Sequence, residues 1–415
     1  MSPDAEGVLL RTPLADEPNP QVTILIPSLN ERLTISETLE WCHAGFAAAG
    51  VRGEILIVDS SDDGTPELAL VGGARVLQVP RRGLGRAYLD AIPFIRSQYV
   101  ILGDADCTYD FREIGEFIEK LDEGYEFVMG SRFDGSIEPG AMPAHHRYFG
   151  TPATNAIFNM VFATKFSDVH CGMRALTLDA YKRLDLQAQG WEYASEMIIR
   201  AVKLRLKTTE VPIHFYKDRN GRVSNVKRGG LLESWRAGWR SLHVMFVGAP
   251  DFFLLRPGAV ALVVGLVVSL ILGWGPLSVG GFTLTLHTLA LAVVVTVLGA
   301  FAFAMGLITR AVTDPWPDTA RELARKVPYD RVVIASLALF LVGTALDVYF
   351  AFRFVSNDYA VTQALERSGH MAFLGLLMIV LGFVLFTTML VIHAVANMRS
   401  RAQLAVAKAT EGLAR

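Results

Sequence analysis

Two carboxylates separated by one residue, Asp104 and Asp106, close the segment YVILGDAD that runs from Tyr99 to Asp106. The apolar run before them reads as a buried strand of a parallel sheet, so both acids fall just past a strand end, where open α/β sheets bind ligands. On a turn rather than within the strand, the pair can face one hard divalent cation that bridges the oxygens of a nucleotide diphosphate. Standing alone, the same tripeptide is also a solvated acidic turn. Its surroundings decide between the two.

Those surroundings are a succession of strands and helices. Val22 to Ile26 is a β-rich run ending in Pro27, and EILIVD from Glu54 to Asp59 repeats the form. Arg32 to Gly50 has the spacing and length of a crossover helix, and further strands fit Arg75 to Val79, Tyr99 to Gly103 and Glu126 to Gly130. The pattern predicts a doubly wound α/β domain with a mostly parallel sheet. No Gly-x-Gly-x-x-Gly opens a helix after the first strand, which speaks against a classical dinucleotide fold, and no internal repeat is present.

The chain has 415 residues, 52% of them hydrophobic, a formal net charge of −2 and a positive mean hydropathy. That is too long for one ordinary domain and too apolar for a wholly soluble one. Charge this close to zero gives no reason to expect nucleic acid. Charged and apolar positions alternate up to about Gly248, and long apolar runs follow Pro257. Spans are expected at Pro257 to Gly273, Leu284 to Ile308, Val332 to Val355 and Met371 to Ala396. Lys and Arg concentrate in Lys217 to Arg240, in Arg310 to Arg331 and after Arg399, which predicts one cytoplasmic side for the catalytic domain, the middle loop and the C-terminus. The expected layout is a flexible arm over 1–20, an α/β domain over 21–228, amphipathic interface helices over 229–256, a four-helix membrane domain over 257–398 and a cytoplasmic tail over 399–415.

Residues 1–20 carry acids and prolines without a continuous apolar core, unlike a secretory signal peptide. Cys42, Cys107 and Cys171 are odd in number and widely spaced, which implies neither a disulfide framework nor a zinc site and suits a reducing compartment. In the interface stretch, Leu232, Trp235, Trp239, Leu242 and Phe246 recur in steps of three and four beside Arg236 and Arg240, the pattern of a helix at a lipid headgroup boundary or of one packed on its own domain. Asp347, inside the third span, is a functional candidate by its cost alone, or a structural carboxylate between helices.

Read together, PSLNE at Pro27 to Glu31, VDSSDDGT at Val58 to Thr65, RRGLGRA at Arg81 to Ala87 and DAD at Asp104 to Asp106 resemble glycosyltransferase family 2. The resemblance extends through GSRF at Gly130 to Phe133, HRYFG at His146 to Gly150, SDVHCGMRA at Ser167 to Ala175 and WEYASEM at Trp191 to Met197, and there it is similar to the polyprenyl-phosphate (dolichyl-phosphate) hexose synthases. It implies a GT-A fold, Rossmann-like and mostly parallel, followed by an all-α transmembrane domain of about four helices. It further implies a nucleotide-sugar donor, a divalent metal (Mg²⁺ or Mn²⁺) and an inverting transfer.

By that resemblance Pro27, Asn30 and Glu31 line the nucleoside pocket, and Asp59 hydrogen-bonds the base or ribose. Asp62, Asp63 and Gly64 support that pocket or cap a helix. Gly83 and Gly85 let the backbone pass close to the donor, and Arg81 or Arg82 reaches phosphate. Asp104 meets nucleotide and metal, and Asp106 is the more direct metal ligand. Relatives often carry a Gln two residues later, where this chain has Thr108. Arg132 faces the acceptor phosphate, with Arg147 and Arg174 as further candidates, because a planar guanidinium holds two phosphate oxygens at once. KDRNGRVSN at Lys217 to Asn225 resembles the family's basic acceptor loop. Relatives show Ser-Lys where this chain has Ser224 and Asn225, leaving Lys227 or Arg228 to supply the charge. Asp168 and Glu192 lie in motifs on the acceptor side.

A phosphate monoester has a second pKa of about 6, so its oxygen attacks the anomeric carbon without a strong base. The implied reaction moves a hexose from a UDP- or GDP-sugar to polyprenyl or dolichyl phosphate. A hydroxyl acceptor would instead require a base such as Asp168. Processive relatives carry Gln-x-x-Arg-Trp on the interface helix, and no such sequence stands near Trp235 or Trp239. A third reading is a noncatalytic scaffold or lipid transporter on a lapsed domain. The spans could anchor the enzyme among membrane lipids, hold the polyprenyl chain or form a homo-oligomer contact.

Overall fold

The computed structural model describes residues 7–219, 221, 239, 243–316, 318–356 and 363–413. The chain divides into two compact units, Met1–Gly248 and Ala249–Arg415.

The first unit is built on one eight-stranded sheet. Its strands are β1 (Leu9–Arg11), β2 (Val22–Ser28), β3 (Gly53–Asp59), β4 (Arg75–Gln78), β5 (Tyr99–Leu102), β6 (Phe127–Ile137), β7 (Arg174–Thr177) and β8 (Thr208–Phe215). The spatial order is β1-β4-β3-β2-β5-β7-β6-β8. Strands β4, β3, β2 and β5 run parallel, β7 is antiparallel to both its neighbours, and β6 and β8 pair in parallel. The helices are α1 (Ile35–Ala49), α2 (Thr65–Val71), α3 (Leu84–Ala91), α4 (Ile114–Asp122), α5 (Thr151–Phe162), α6 (Leu178–Arg183) and α7 (Tyr193–Lys203).

Alternate residues of the parallel strands enter two separate cores. Leu25, Leu56, Val58 and Leu77 meet Tyr88 of α3, Tyr181 of α6 and Met197 of α7 on one face. Ile24, Ile26, Ile57 and Val76 meet Leu39 of α1, Ala69 of α2 and Phe117 of α4 on the other. Both faces are therefore covered, which is why the strands read as near-continuous apolar runs.

One expectation is corrected. The arm over 1–20 is not free along its length, because Leu9–Arg11 pairs antiparallel with Val76–Gln78 as an edge strand. Asp16 then accepts two 2.8 Å hydrogen bonds from the Arg96 guanidinium. This bidentate pair ties the segment down, and it holds the Asp16 carboxyl below its ordinary range.

The second unit holds α8 (Arg256–Leu272), a hairpin of β9 (Leu277–Val279) and β10 (Phe282–Leu284), α9 (Leu286–Thr313), α10 (Thr319–Lys326), α11 (Tyr329–Ser356) and α12 (Gln363–Leu413). Among the described residues, four segments are long and apolar enough to cross a membrane: Asp251–Leu272, Leu286–Thr313, Tyr329–Ser356 and Ser368–Ala402. The first is longer than its apolar run suggested, because a π-helical turn over Asp251–Leu255 leads into α8. Small residues let these helices approach: a Cβ at Gly299 would lie 2.3 Å from the backbone N of Leu262. Asp347 sits against Gly375, where a Cβ would come within 2.5 Å of its carboxylate. Lys227, Arg228, Leu232, Trp235, Arg236, Arg240 and Leu242 lie outside the described residues. Trp239 and Phe246 are described, and both are exposed.

Candidate active site

A cleft of about 560 Å³ opens in the first unit at the carboxyl ends of the parallel strands. Pro27, Glu31, Asp104, Asp106 and Thr108 line it, together with Arg81, Arg82, Trp191, Phe215 and Asp218.

The turn that carries the two acids is held at three of its backbone carbonyls, those of Gly103, Ala105 and Thr108. Tyr88 Oη donates to the Gly103 carbonyl at 3.3 Å, and the hydroxyls of Thr34 and Thr38 donate to the Ala105 carbonyl at 2.7 and 3.2 Å. Cys107 then takes a left-handed conformation, φ 57°, which turns the chain back under the acids. Thr108 donates to Asp106 Oδ1 through its backbone N–H at 3.0 Å and its hydroxyl at 2.6 Å. Thr108 is thus a post for Asp106, and Tyr216 N–H caps the Thr108 carbonyl at 2.9 Å.

The donor set of this turn suits a hard divalent cation. Two carboxylates on one cleft wall are what Mg²⁺ or Mn²⁺ uses when substrate phosphates and waters complete its shell, and among the described residues no cluster of three protein ligands exists. His145 and His146 lie ring to ring at 4.3 Å without completing such a cluster, and His170 instead bonds Thr154 Oγ1 at 3.0 Å.

The loops after β2 and β3 are laced to each other. Asp59 is buried, and its carboxylate accepts from Ser28 Oγ at 2.6 Å, Ser61 N–H at 2.9 Å and Ser61 Oγ at 2.7 Å. It is not on the cleft wall, although its neighbours Val58 and Ser60 are. Asn30, also off that wall, accepts from Asp62 N–H at 3.1 Å. Asp63 accepts from Thr65 N–H at 3.0 Å and so fixes the turn that leads into α2; burial opposes its charge, and the Thr65 hydrogen bonds more than offset that and lower its pKa.

The basic candidates meet different fates. Arg132 is 8% exposed, and it donates to Asp168 through Nε at 2.6 Å, Nη2 at 2.8 Å and its backbone N–H at 3.2 Å. Burial opposes the guanidinium charge, but the Asp168 bonds outweigh it and raise the pKa. The group lies 5.1 Å over the ring of Phe215, whose other surroundings include the cleft. Asp168 is fully buried, and Glu210 accepts from the backbone N–H groups of Ser167 and Asp168 to fix its loop. Arg174 is 2% exposed and donates to the carbonyls of Cys171, Ala194 and Val169, so it braces its own loop and is not on the wall of this cleft. Arg147 lies in a π-helical turn over His146–Gly150, its guanidinium 5.7 Å above the Tyr148 ring and off the cleft wall.

The RRGLGRA glycines make room for a neighbouring loop, and Gly83 also lines the cleft. A Cβ at Gly83 would stand 2.3 Å from the Gln189 carbonyl oxygen, and one at Gly85 would stand 2.2 Å from that of Ala188. Trp191, Asp218 and Phe215 were not singled out from the sequence. All three lie in quoted or neighbouring motifs, but nothing local marks them as cleft residues.

Comparison with known proteins fits this arrangement. Residues 23–185 match the model described as glycosyl transferase family 2, and residues 308–396 match that of the glycosyltransferase family 2 C-terminal transmembrane region. Low-salt glycan biosynthesis hexosyltransferase Agl6 of Haloferax volcanii is 34% identical over 349 residues, covering 82% of each chain. A dolichyl-phosphate hexose transferase of the same organism is 32% identical over 174 residues, 41% of this chain and 72% of that one. Glucosyl-3-phosphoglycerate synthase from Mycobacterium tuberculosis superposes over 55% of this chain and 80% of its own, with a TM-score of 0.44 and 19% identity. The chain belongs to glycosyltransferase family 2 and is a membrane glycosyltransferase with a GT-A-like domain.

Proposed function

We propose that this enzyme moves a hexose, with inversion, from a UDP- or GDP-linked donor to polyprenyl or dolichyl phosphate, with its catalytic domain and C-terminus on the cytoplasmic side. The observation that carries the choice of acceptor is the state of Asp168. It is the acid best suited by sequence to act as a base for a hydroxyl acceptor, yet it is fully buried and accepts three hydrogen bonds from Arg132. With no exposed surface and both oxygens taken by one guanidinium, it has no contact to offer an acceptor hydroxyl. A phosphate needs no base, since it is largely ionised above its second pKa of about 6. Similarity to a dolichyl-phosphate hexose transferase supports the same reading.

In this reading the acceptor oxygen forms a bond to the anomeric carbon as the bond from that carbon to the nucleoside diphosphate breaks, and the electron pair leaves with the diphosphate. Asp104 and Asp106 would hold Mg²⁺ or Mn²⁺, which when bound offsets charge on the departing diphosphate. Thr108 keeps Asp106 oriented for that task. Pro27 and Glu31 meet the nucleoside from the cleft wall, whereas Asn30 and Asp59 shape their loops from behind. Arg81 supplies positive charge on the wall, and Arg82 beside it is paired with Asp90 at 2.9 Å. Arg132 acts through the Asp168 loop, with Arg147, Lys227 and Arg228 as the remaining candidates for contact with the lipid phosphate. The basic flanks of the membrane spans support the cytoplasmic orientation.

The test is transfer of labelled sugar from a panel of UDP- and GDP-hexoses to polyprenyl phosphate in membranes that carry the full chain. The expected product is chloroform-soluble, and it disappears with a metal chelator and in Asp106→Ala. Nucleotide binding without any lipid product would move the assignment to a hydroxyl acceptor. Absence of nucleotide binding would favour the scaffold.

A further inference from the structure

We propose that Trp191 is the platform on which the donor's hexose lies, a binding role that rests on the nucleotide-sugar reading above. Trp191 is 54% exposed and lies on the cleft wall. An indole left half bare in a concave site lined by carboxylates and arginines offers an apolar face with no use in the core. A hexose is the partner of matching chemistry: it is uncharged, and its ring presents a face of C–H bonds that an aromatic surface covers well.

The loop that carries Trp191 is fixed by a set of hydrogen bonds along its length. Glu196 Oε2 accepts from the N–H groups of Gln187 at 3.0 Å and Ala188 at 2.8 Å. Glu192 Oε1 accepts from Gly190 N–H at 3.1 Å, and Arg86 N–H donates to the Gln189 carbonyl at 3.0 Å. Gly83 and Gly85 lack side chains where those two carbonyls approach. Just beyond Trp191, Tyr193 stacks on Tyr88 with centroids 5.0 Å apart and planes 6° from parallel. Tyr88 in turn bonds the Gly103 carbonyl next to Asp104. The indole and the acidic turn are thereby braced by one ring stack, as a binding surface and a reacting centre must be if a sugar is to be held in register.

The nucleobase is the other flat partner an indole takes, and the test separates the two. The KM of a purified full-length chain for its sugar nucleotide and the inhibition constant of the matching free nucleoside diphosphate are measured for wild type, Trp191→Ala and Trp191→Phe. The expected result is a KM raised about 3- to 10-fold in Trp191→Ala with inhibition by the diphosphate nearly unchanged, and recovery in Trp191→Phe. Equal weakening of sugar nucleotide and diphosphate assigns the ring to the base and overturns the proposal, as does no change in either. A wild-type chain that takes up no nucleotide sugar overturns the functional reading along with it. Thermal unfolding of each variant separates a binding loss from a folding loss.

Discussion

The two halves of the sheet treat charge in opposite ways. At the ends of β2 and β5, Glu31, Asp104 and Asp106 stand on the cleft wall, where Thr108 donates to Asp106 and Thr34 and Thr38 hold the Ala105 carbonyl between the two aspartates. Around β6 and β7, Arg132 and Asp168 cancel one another, and Arg174 spends its guanidinium on three carbonyls. A polar residue in a matching motif can therefore be displayed to a ligand or used to hold the wall that displays another. Burial and partners decide which, and residue type alone does not.

The largest expected contrast sets Asp106 against Asp168. Asp106→Ala should cut the initial rate of transfer by about 10²- to 10³-fold, the range for loss of a charge-stabilising group, with little change in thermal unfolding. Asp168→Asn should instead cost about 3–5 kcal/mol of stability, because it leaves the Arg132 charge buried without its partner. Calorimetry or denaturant unfolding reads that loss, and replacing both partners by apolar residues should restore much of it. A stable, inactive Asp168→Asn enzyme would break the comparison, since it would return Asp168 to the chemistry.

A smaller effect sharpens it. Thr108→Val removes one of two hydrogen bonds to Asp106 Oδ1 and should lower the rate about tenfold while raising the metal concentration needed for half activity. The smallest concerns pH. Burial holds the His170 imidazole down at about 4, against 6.5 ordinarily. Between those values the unfolded chain binds the extra proton and the folded chain does not, so stability should fall as pH drops from about 6.5 toward 4 and stay level above that window. His170→Gln should flatten that slope in unfolding measured across pH.

Much of the open half was legible in sequence. Its strands are local apolar runs, the acids follow at once, and the sheet's two-sided burial leaves a strong pattern. The arm's edge strand was not legible, because three residues among prolines and acids carry no periodicity and their partner strand lies far along the chain. The closed half was hidden for the same reason. Arg132 meets an acid 36 residues away, and Gly83 meets a carbonyl about a hundred residues on, contacts that only the folded chain creates. The motif GLG announced a close approach, but not what approaches. Membrane spans were readable from length and apolarity, apart from the π-helical turn that extends the first one.

The most direct test of the central claim offers the full chain, in lipid nanodiscs with its preferred sugar nucleotide, two acceptors that differ only in their head: polyprenyl phosphate and the free polyprenol. With Asp168 held by Arg132, the site should glycosylate the phosphate alone, with a rate that rises through the acceptor's second pKa of about 6 and then levels off. Comparable transfer to the polyprenol would contradict the account, because it would require the base that the Arg132–Asp168 pair has taken out of use.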